Sequence, residues 1–269
     1  MHVFAHYQIV IIRNMPISDK SSFNLGSAIR FSVIAEAAWA PGVETRQEWQ
    51  AWAQSGFRIS AGGAEPRLKT MPAMQRRRAG FLGKMALEVA YACLGERLDV
   101  PIVFCSRHGE VARSVAMLCD MASDEPLSPT SFGLSVHNAI GGMFSIARGD
   151  KANNMALSAR DSTIEHALIE ACGLLADGEK AVLLVAYEAP LPAIYANFQD
   201  EDEQPFAWAW LIEPPQKDVI SLSWAMGQES DIAEDSLPAG LQILRFYLRK
   251  ERSMVRLCGK QKWQWSRHA

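Results

Sequence analysis

The chain has 269 residues, a formal net charge of −3 and five cysteines. Its 49% apolar content supplies a sizeable core and excludes global disorder, and its slight acidity gives no general affinity for nucleic acid. The cysteines, at 93, 105, 119, 172 and 258, form no C-x-x-C pair and no zinc spacing, so they read as reduced thiols in a cytoplasmic protein with no metal site.

The first 28 residues differ from the rest. "MHVFAHYQIVII" is apolar but lacks the basic start and small-residue cleavage site of a signal peptide. "RNMPISDKSSFNLGS" is polar and turn-rich. Residues 1–28 are therefore read as a loosely ordered extension, with one domain from 29 to 269.

"RFSVIAEAA" (30–38) predicts a strand closed by Pro41-Gly42, and "ETRQEWQAWAQ" a short amphipathic helix. "AMQRRRAGFLGKMALEVAYACLGE" carries Leu82, Met85, Ala86, Val89, Ala90, Cys93 and Leu94 at helical spacing. "PIVFCS" predicts a buried strand. "EVARSVAMLCDMA" predicts a helix with Val111, Val115, Leu118 and Cys119 inward. The stretch 128–149, "SPTSFGLSVHNAIGGMFSIARG", is helical in its middle, and "NNMALSA" is a strand. Ser162-Thr163-Ile164-Glu165 has the form of a capping box, and the helix behind it buries Ile164, Ala167, Leu168, Ala171 and Leu175. "KAVLLVAYE" predicts a buried strand. "PFAWAWLIE" and "DVISLSWAM", joined by Pro214-Pro215-Gln216-Lys217, predict a hairpin. A last helix, "LPAGLQILRFYLRKE", precedes a basic and aromatic tail. The order implies a layered α/β fold on a mostly parallel mixed sheet with an antiparallel edge. No apolar run is long enough to span a bilayer.

Several constellations carry a chemical and a bland reading. Asp161 stands at a strand–turn–helix elbow, where α/β enzymes often hold a nucleophile. A carboxylate there is a poor nucleophile, and the favoured reading is that Asp161 and Ser162 cap the free backbone donors of the helix. His137 and Asn138 in "SVHNA" are read as a buried hydrogen-bonded pair or a subunit contact, not a catalytic pair. His108 and Glu110 in "SRHGE" are read as a strand-end loop whose charges face solvent or a partner. The tail from Arg245 has eight Lys or Arg against one Glu, interleaved with Trp263 and Trp265. It reads first as a solvated helix face and next as a docking surface for an acidic carrier protein or partner subunit. "DEDEQ" at 200–204 reads as an exposed loop.

The region 128–149, the following strand and "ALSARDSTIEHA" together resemble the N-terminal half of β-ketoacyl synthases, of the thiolase-like fold. "AEAAWAPGVETRQEWQAWA", "MPAMQRRRAGFLGKMAL", "FCSRHGEV" and "AVLLVAYEAPLP" extend the resemblance over roughly residues 29–195. It is closest to the short ketosynthase-like subunits called chain length factors in aryl polyene clusters. In an active ketosynthase the elbow presents a Cys at a helix N-terminus, where the thiolate is favoured. That position falls on Asp161 here, and His166 matches a family histidine of structural role. The family's two catalytic histidines belong to the second thiolase half, which this chain is expected to lack; only His268 follows His166.

The resemblance implies a non-catalytic subunit that pairs with an active β-ketoacyl synthase and shapes its acyl tunnel. It implies no cofactor, and an acyl carrier protein met through the complex. The tunnel wall or partner interface would comprise Cys105, Ser106, Arg107, Ser128, Thr130, Ser131, Phe132, Leu134, His137 and Asn138, with Phe132 as end stop. The competing reading is a stand-alone acyltransferase or thioester hydrolase using Asp161, Cys105 or His137. A purely structural stabiliser is the third.

Overall fold

The computed structural model describes residues 28–227 and 237–268; all but the last residue of the expected N-terminal extension lies outside them. One eight-stranded sheet organises the chain, in the order β3-β2-β4-β5-β1-β6-β8-β7. The strands are β1 (Ile29–Trp39), β2 (Ile102–Cys105), β3 (Asn154–Leu157), β4 (Val182–Glu188), β5 (Phe206–Glu213), β6 (Val219–Met226), β7 (Ser253–Cys258) and β8 (Gln261–His268). The helices are α1 (Arg46–Ser55), α2 (Ala73–Arg76), α3 (Phe81–Leu94), α4 (Val111–Ala122), α5 (Pro129–Gly133), α6 (Ala139–Arg148), α7 (Thr163–Ala176) and α8 (Ala239–Arg249).

Alternation along the strands builds two cores, one on each face. On β4, Val182, Leu184 and Ala186 pack with α1, α7 and α8. Leu183, Val185 and Tyr187 pack with α3 and α6. The result is the expected α-β-α layering. Trp52, Trp208, Trp210, Trp263 and Trp265 are all fully buried on the first face.

The sheet is not mostly parallel. Only β2 pairs in parallel, with β3 and β4; the pairings β4–β5, β5–β1, β1–β6, β6–β8 and β8–β7 are antiparallel. Periodicity identified the strands, but it carries no information about which strand lies beside which. The hairpin expected of β5 and β6 fails for that reason. β5 runs along one edge of β1 as far as Ser32, and the chain then crosses to the other edge, where β6 begins. Ser32 pins the crossing: its buried hydroxyl donates to the Lys217 carbonyl at 2.9 Å and accepts from the Gln216 N–H at 3.0 Å.

Three other expectations change. The helix predicted over 73–96 breaks into α2 and α3 before Gly80, the N-cap residue of α3. The basic tail is not a helix face but the β7–β8 hairpin. It turns at Gly259-Lys260, where Gly259 takes the left-handed conformation (φ +59°) that glycine favours. Three of the tail's cations bond back onto the body: Arg249, at the end of α8, donates to the carbonyls of Ala53 and Gln54, and from the hairpin Arg256 pairs with Glu165 and Arg267 with Asp218. Finally, α4 buries no residue, and Leu118 and Cys119 are exposed rather than inward.

Ser32→Ala is expected to cost about 1–3 kcal/mol, since it removes both hydrogen bonds that tie the crossing to β1. Urea unfolding followed by circular dichroism measures this, and an unchanged midpoint would remove Ser32 from the crossing.

Candidate functional site

β2, β3 and β4 deliver their C-terminal ends to one place. After β3 the chain turns through a 3-10 segment, Arg160–Ser162, into α7. Arg160 is held in the left-handed region at φ +54°, a strained setting for a side-chain-bearing residue that costs on the order of 1–3 kcal/mol. Thr163 secures the bend: its hydroxyl accepts from the Ala159 N–H at 2.9 Å and donates to the Arg160 carbonyl at 2.6 Å.

The expected capping box is absent. Ser162 Oγ donates to the Ala159 carbonyl, and its side chain accepts no helix N–H. Glu165 is fully buried and pairs with Arg256 of β7. Arg256 also donates to the Asp161 carbonyl at 3.1 Å and to Gln242 Oε1 at 3.2 Å. Burial acts to lower the Arg256 pKa, and the Glu165 carboxylate more than reverses this. An ion pair of this depth competed with the cap for Glu165 and won.

Asp161 is not a cap either. Its carboxylate lies 3.2 Å from Arg107 Nη2, and its side chain is 44% exposed. Arg107, only 9% exposed, reaches Asp200 at 2.9 Å and Glu201 at 2.9 Å as well. Burial pulls Arg107 toward neutrality, but Glu201 and then Asp200 carry its pKa above the ordinary arginine value. The guanidinium thus gathers three carboxylates at the elbow. Behind it the cavity lined by Cys105, Arg107, Asp161, Glu188 and Phe206 measures about 10 Å³, room for about one water.

The segment 200–204 is consequently not a plain exposed loop. Asp200 and Glu201 grip Arg107, Asp202 pairs with Arg58, and Glu203 accepts from the Leu191 N–H at 2.7 Å. Gln204 is buried and accepts from the Ile59 N–H at 2.8 Å. It forms a strap tied to the body at both ends.

The Ser106–Gly109 turn after β2 joins these parts. Its Arg107 N–H and Ser106 hydroxyl both donate to Glu188, the last residue of β4. Burial pushes the Glu188 carboxyl up to about 8, against the Arg107 N–H and guanidinium, with Glu201 adding to the rise. His137 Nε2 donates to the Ser106 carbonyl at 3.0 Å, while Asn138 is exposed, so the two do not form a buried pair. His108 and Glu110 face apart. His108 lies 3.9 Å from Glu203, with burial and Arg107 holding its pKa low; Glu110 is buried beside Arg113, not turned to solvent.

The remaining candidates divide. Burial holds the Cys105 thiol far above the ordinary thiol value, which disarms it as a nucleophile. Ser128, Thr130 and Phe132 are exposed on or beside α5, with Ser131 and Leu134 half-buried. His166 donates Nδ1–H to the Ser162 carbonyl at 2.9 Å and meets the Trp263 ring edge-on at 5.3 Å, a structural role. His268 bonds Ser221 at 3.0 Å at the far end of β8, about 20 Å along the strand from the end nearest the elbow. Glu165, Glu188, Asp200, Glu201 and Arg256 were not anticipated. Glu188 had a signal: it is a carboxylate closing an otherwise apolar strand, as Glu213 also is at the end of β5.

A family model for the β-ketoacyl synthase N-terminal domain matches residues 49–266. The chain therefore belongs to that family, with its thiolase-like fold. Among solved structures, it is similar to a ketosynthase (ApeO) in complex with its chain length factor (ApeC) from Xenorhabdus doucetiae. That match has a TM-score of 0.78 and 30% identity, covering 88% of this chain and 98% of that one. It is also similar to the ishigamide ketosynthase/chain length factor, at TM-score 0.58 and 15% identity over 77% and 69% of the two chains. A third similar structure is a type II acyl carrier protein in complex with its ketosynthase, at TM-score 0.56 and 14% identity over 74% and 70%. No curated protein matches the sequence.

Arg256→Met is expected to cost about 3–5 kcal/mol by leaving Glu165 buried and unpaired, and the double variant Arg256→Met/Glu165→Leu to recover most of that. Chemical denaturation of the three proteins checks this. Equal losses in the single and double variants would mean that Arg256 matters for its volume and not its charge.

Proposed function

We propose that this chain is a non-catalytic chain length factor that pairs with an active β-ketoacyl synthase in aryl polyene biosynthesis and shapes its acyl tunnel. One observation carries the reading: the Asp161 carboxylate, at the position where the family resemblance puts the nucleophile, is engaged by Arg107. An ionised carboxylate is a weak nucleophile toward a thioester and repels a malonyl group placed beside it. A cavity of about 10 Å³ behind the elbow leaves no room for an acyl chain. Decarboxylative condensation with malonyl carrier protein would then belong to the partner.

The surface supports the pairing. Among the described residues β3 is an edge strand bonded only to β2, and all four of its residues are half-buried. Helix α6 packs on β3 and α4 packs on α5, and Leu118, Met121, Leu127, Phe132, Val136 and Ile146 are exposed on these helices and their connections. An unpaired edge and a set of exposed apolar side chains on neighbouring segments favour a face for another protein. The similar structures include ketosynthase–chain length factor complexes and a carrier-protein complex, which names the classes of partner to try.

Co-expressed with a complete ketosynthase, the chain is expected to elute as a one-to-one heterodimer in size-exclusion chromatography with light scattering. A monomer indifferent to the ketosynthase sinks the proposal. Asp161→Asn in that complex should leave the condensation rate unchanged; a loss of several orders of magnitude with the complex intact would make Asp161 a participant in the chemistry.

Phe132 tests the tunnel role. Its side chain is 64% exposed in the free chain, so Phe132→Ala should alter the chain's own stability by no more than about 0.5 kcal/mol. In the complex it is expected to lengthen the products, read by mass spectrometry. An unchanged product distribution in a stable complex removes Phe132 as the end wall.

A further inference from the structure

The Ser106–Gly109 turn is bound from several sides. Glu188 takes the N–H of Arg107 and the hydroxyl of Ser106 on a single carboxyl group. The same hydroxyl accepts the Gly109 N–H at 2.8 Å, and Ser158 Oγ donates to the Arg107 carbonyl at 2.9 Å. On its other side the turn rests on His137, which donates to the Ser106 carbonyl. Gly109, at φ +57°, lies so close that a Cβ there would stand 2.8 Å from His137 Cδ2. His137 belongs to the short link between α5 and α6, the stretch that also carries Val136 and follows Phe132. A continuous set of contacts therefore runs from the end of β4, through the turn, to the apolar face beside β3.

We propose that Glu188 is a positioning residue for that face: its carboxyl group seats the Ser106–Gly109 turn against His137 and so fixes the α5–α6 link. The assignment of the face to a ketosynthase rests on the proposed function; the seating of the turn does not. Glu188 faces Arg107 from the turn, Glu201 from the strap, Cys105 from β2 and its neighbour Tyr187 in β4. Burial, with Glu201, keeps the carboxyl protonated up to about pH 8 in spite of Arg107 and Ser106. Lifting the turn exposes the group to water and returns it toward the ordinary carboxylate range. The seated turn binds the proton more tightly than the lifted one, so the seating is fully favoured below the ordinary carboxylate range, weakens as pH rises from there to about 8, and no longer changes with pH above that value.

Amide hydrogen exchange on the isolated full-length chain tests this without a partner, with rates divided by intrinsic chemical rates and α1 as reference. Protection of residues 106–109 is expected to fall by about tenfold between pH 6 and pH 7, the limit for release of one proton, and to level off above about pH 8. In Glu188→Gln the profile should be flat. A wild-type profile that follows α1, or an equal fall in Glu188→Gln, overturns the proposal; the wild-type arm stands even if the variant folds poorly. In the complex, wild-type affinity for the ketosynthase should weaken over the same pH interval and Glu188→Gln affinity should not. Loss of protection with unchanged affinity overturns the link to the partner face. Failure to form a complex at any pH overturns the proposed function instead, and leaves the exchange result to stand alone.

Discussion

The site is organised around one guanidinium. Arg107 is almost entirely enclosed, yet it carries a full charge, and a buried charge is tolerated only where partners surround it. Asp161, Asp200 and Glu201 provide them. They come from two parts of the fold: Asp161 from the elbow after β3, the other two from the strap ahead of β5. Removing the arginine would leave three carboxylates facing one another. The elbow, the strap and the turn after β2 are thus locked into a single arrangement by electrostatics, with β4 closing it from behind through Glu188.

This arrangement gives Asp161 a physical role that neither catalysis nor helix capping describes. A thiol at the same elbow would need a helix N-terminus free to stabilise its anion. Here the first turn of α7 is organised by other groups. Thr163 closes the bend, and Arg256 arrives from the far end of the chain to hold both the Asp161 carbonyl and the Glu165 carboxylate. The strained Arg160 holds the elbow's geometry, and the Asp161 carboxylate is turned to Arg107.

Much of the fold was legible because burial imposes periodicity. The inward residues of α7, the apolar runs of β2 and β4, and the strap-free parts of the N-terminal half follow directly from spacing. What was not legible depends on partners distant in sequence. Strand direction and order could not be read, so β5 and β6 looked like a hairpin until β1 was placed between them. Glu165 matched a local capping rule, and the rule was overridden by an arginine 91 positions away. Trp263 and Trp265 do show the two-residue period of a strand. Their basic neighbours hid it, because a cation counted as solvated until its internal partner was known. The elbow position was readable from its strand–turn–helix pattern; the Arg107 cluster was not, since nothing in "SRHGE" points to "DEDEQ".

Helix α4 shows the remaining limit. Its amphipathic spacing predicted an inward face of Val111, Val115, Leu118 and Cys119, and the spacing is real. Among the described residues no layer lies above that face. An apolar stripe in a sequence states that a surface is to be covered, and not by what. When the covering group lies in the same chain, the stripe becomes core; when it lies in another, the same pattern becomes an interface. α4 packs beside α5. Under the proposed function the exposed stripe and the occupied elbow have a common explanation: a subunit whose partner holds the active chemistry has use for the face and none for a nucleophile.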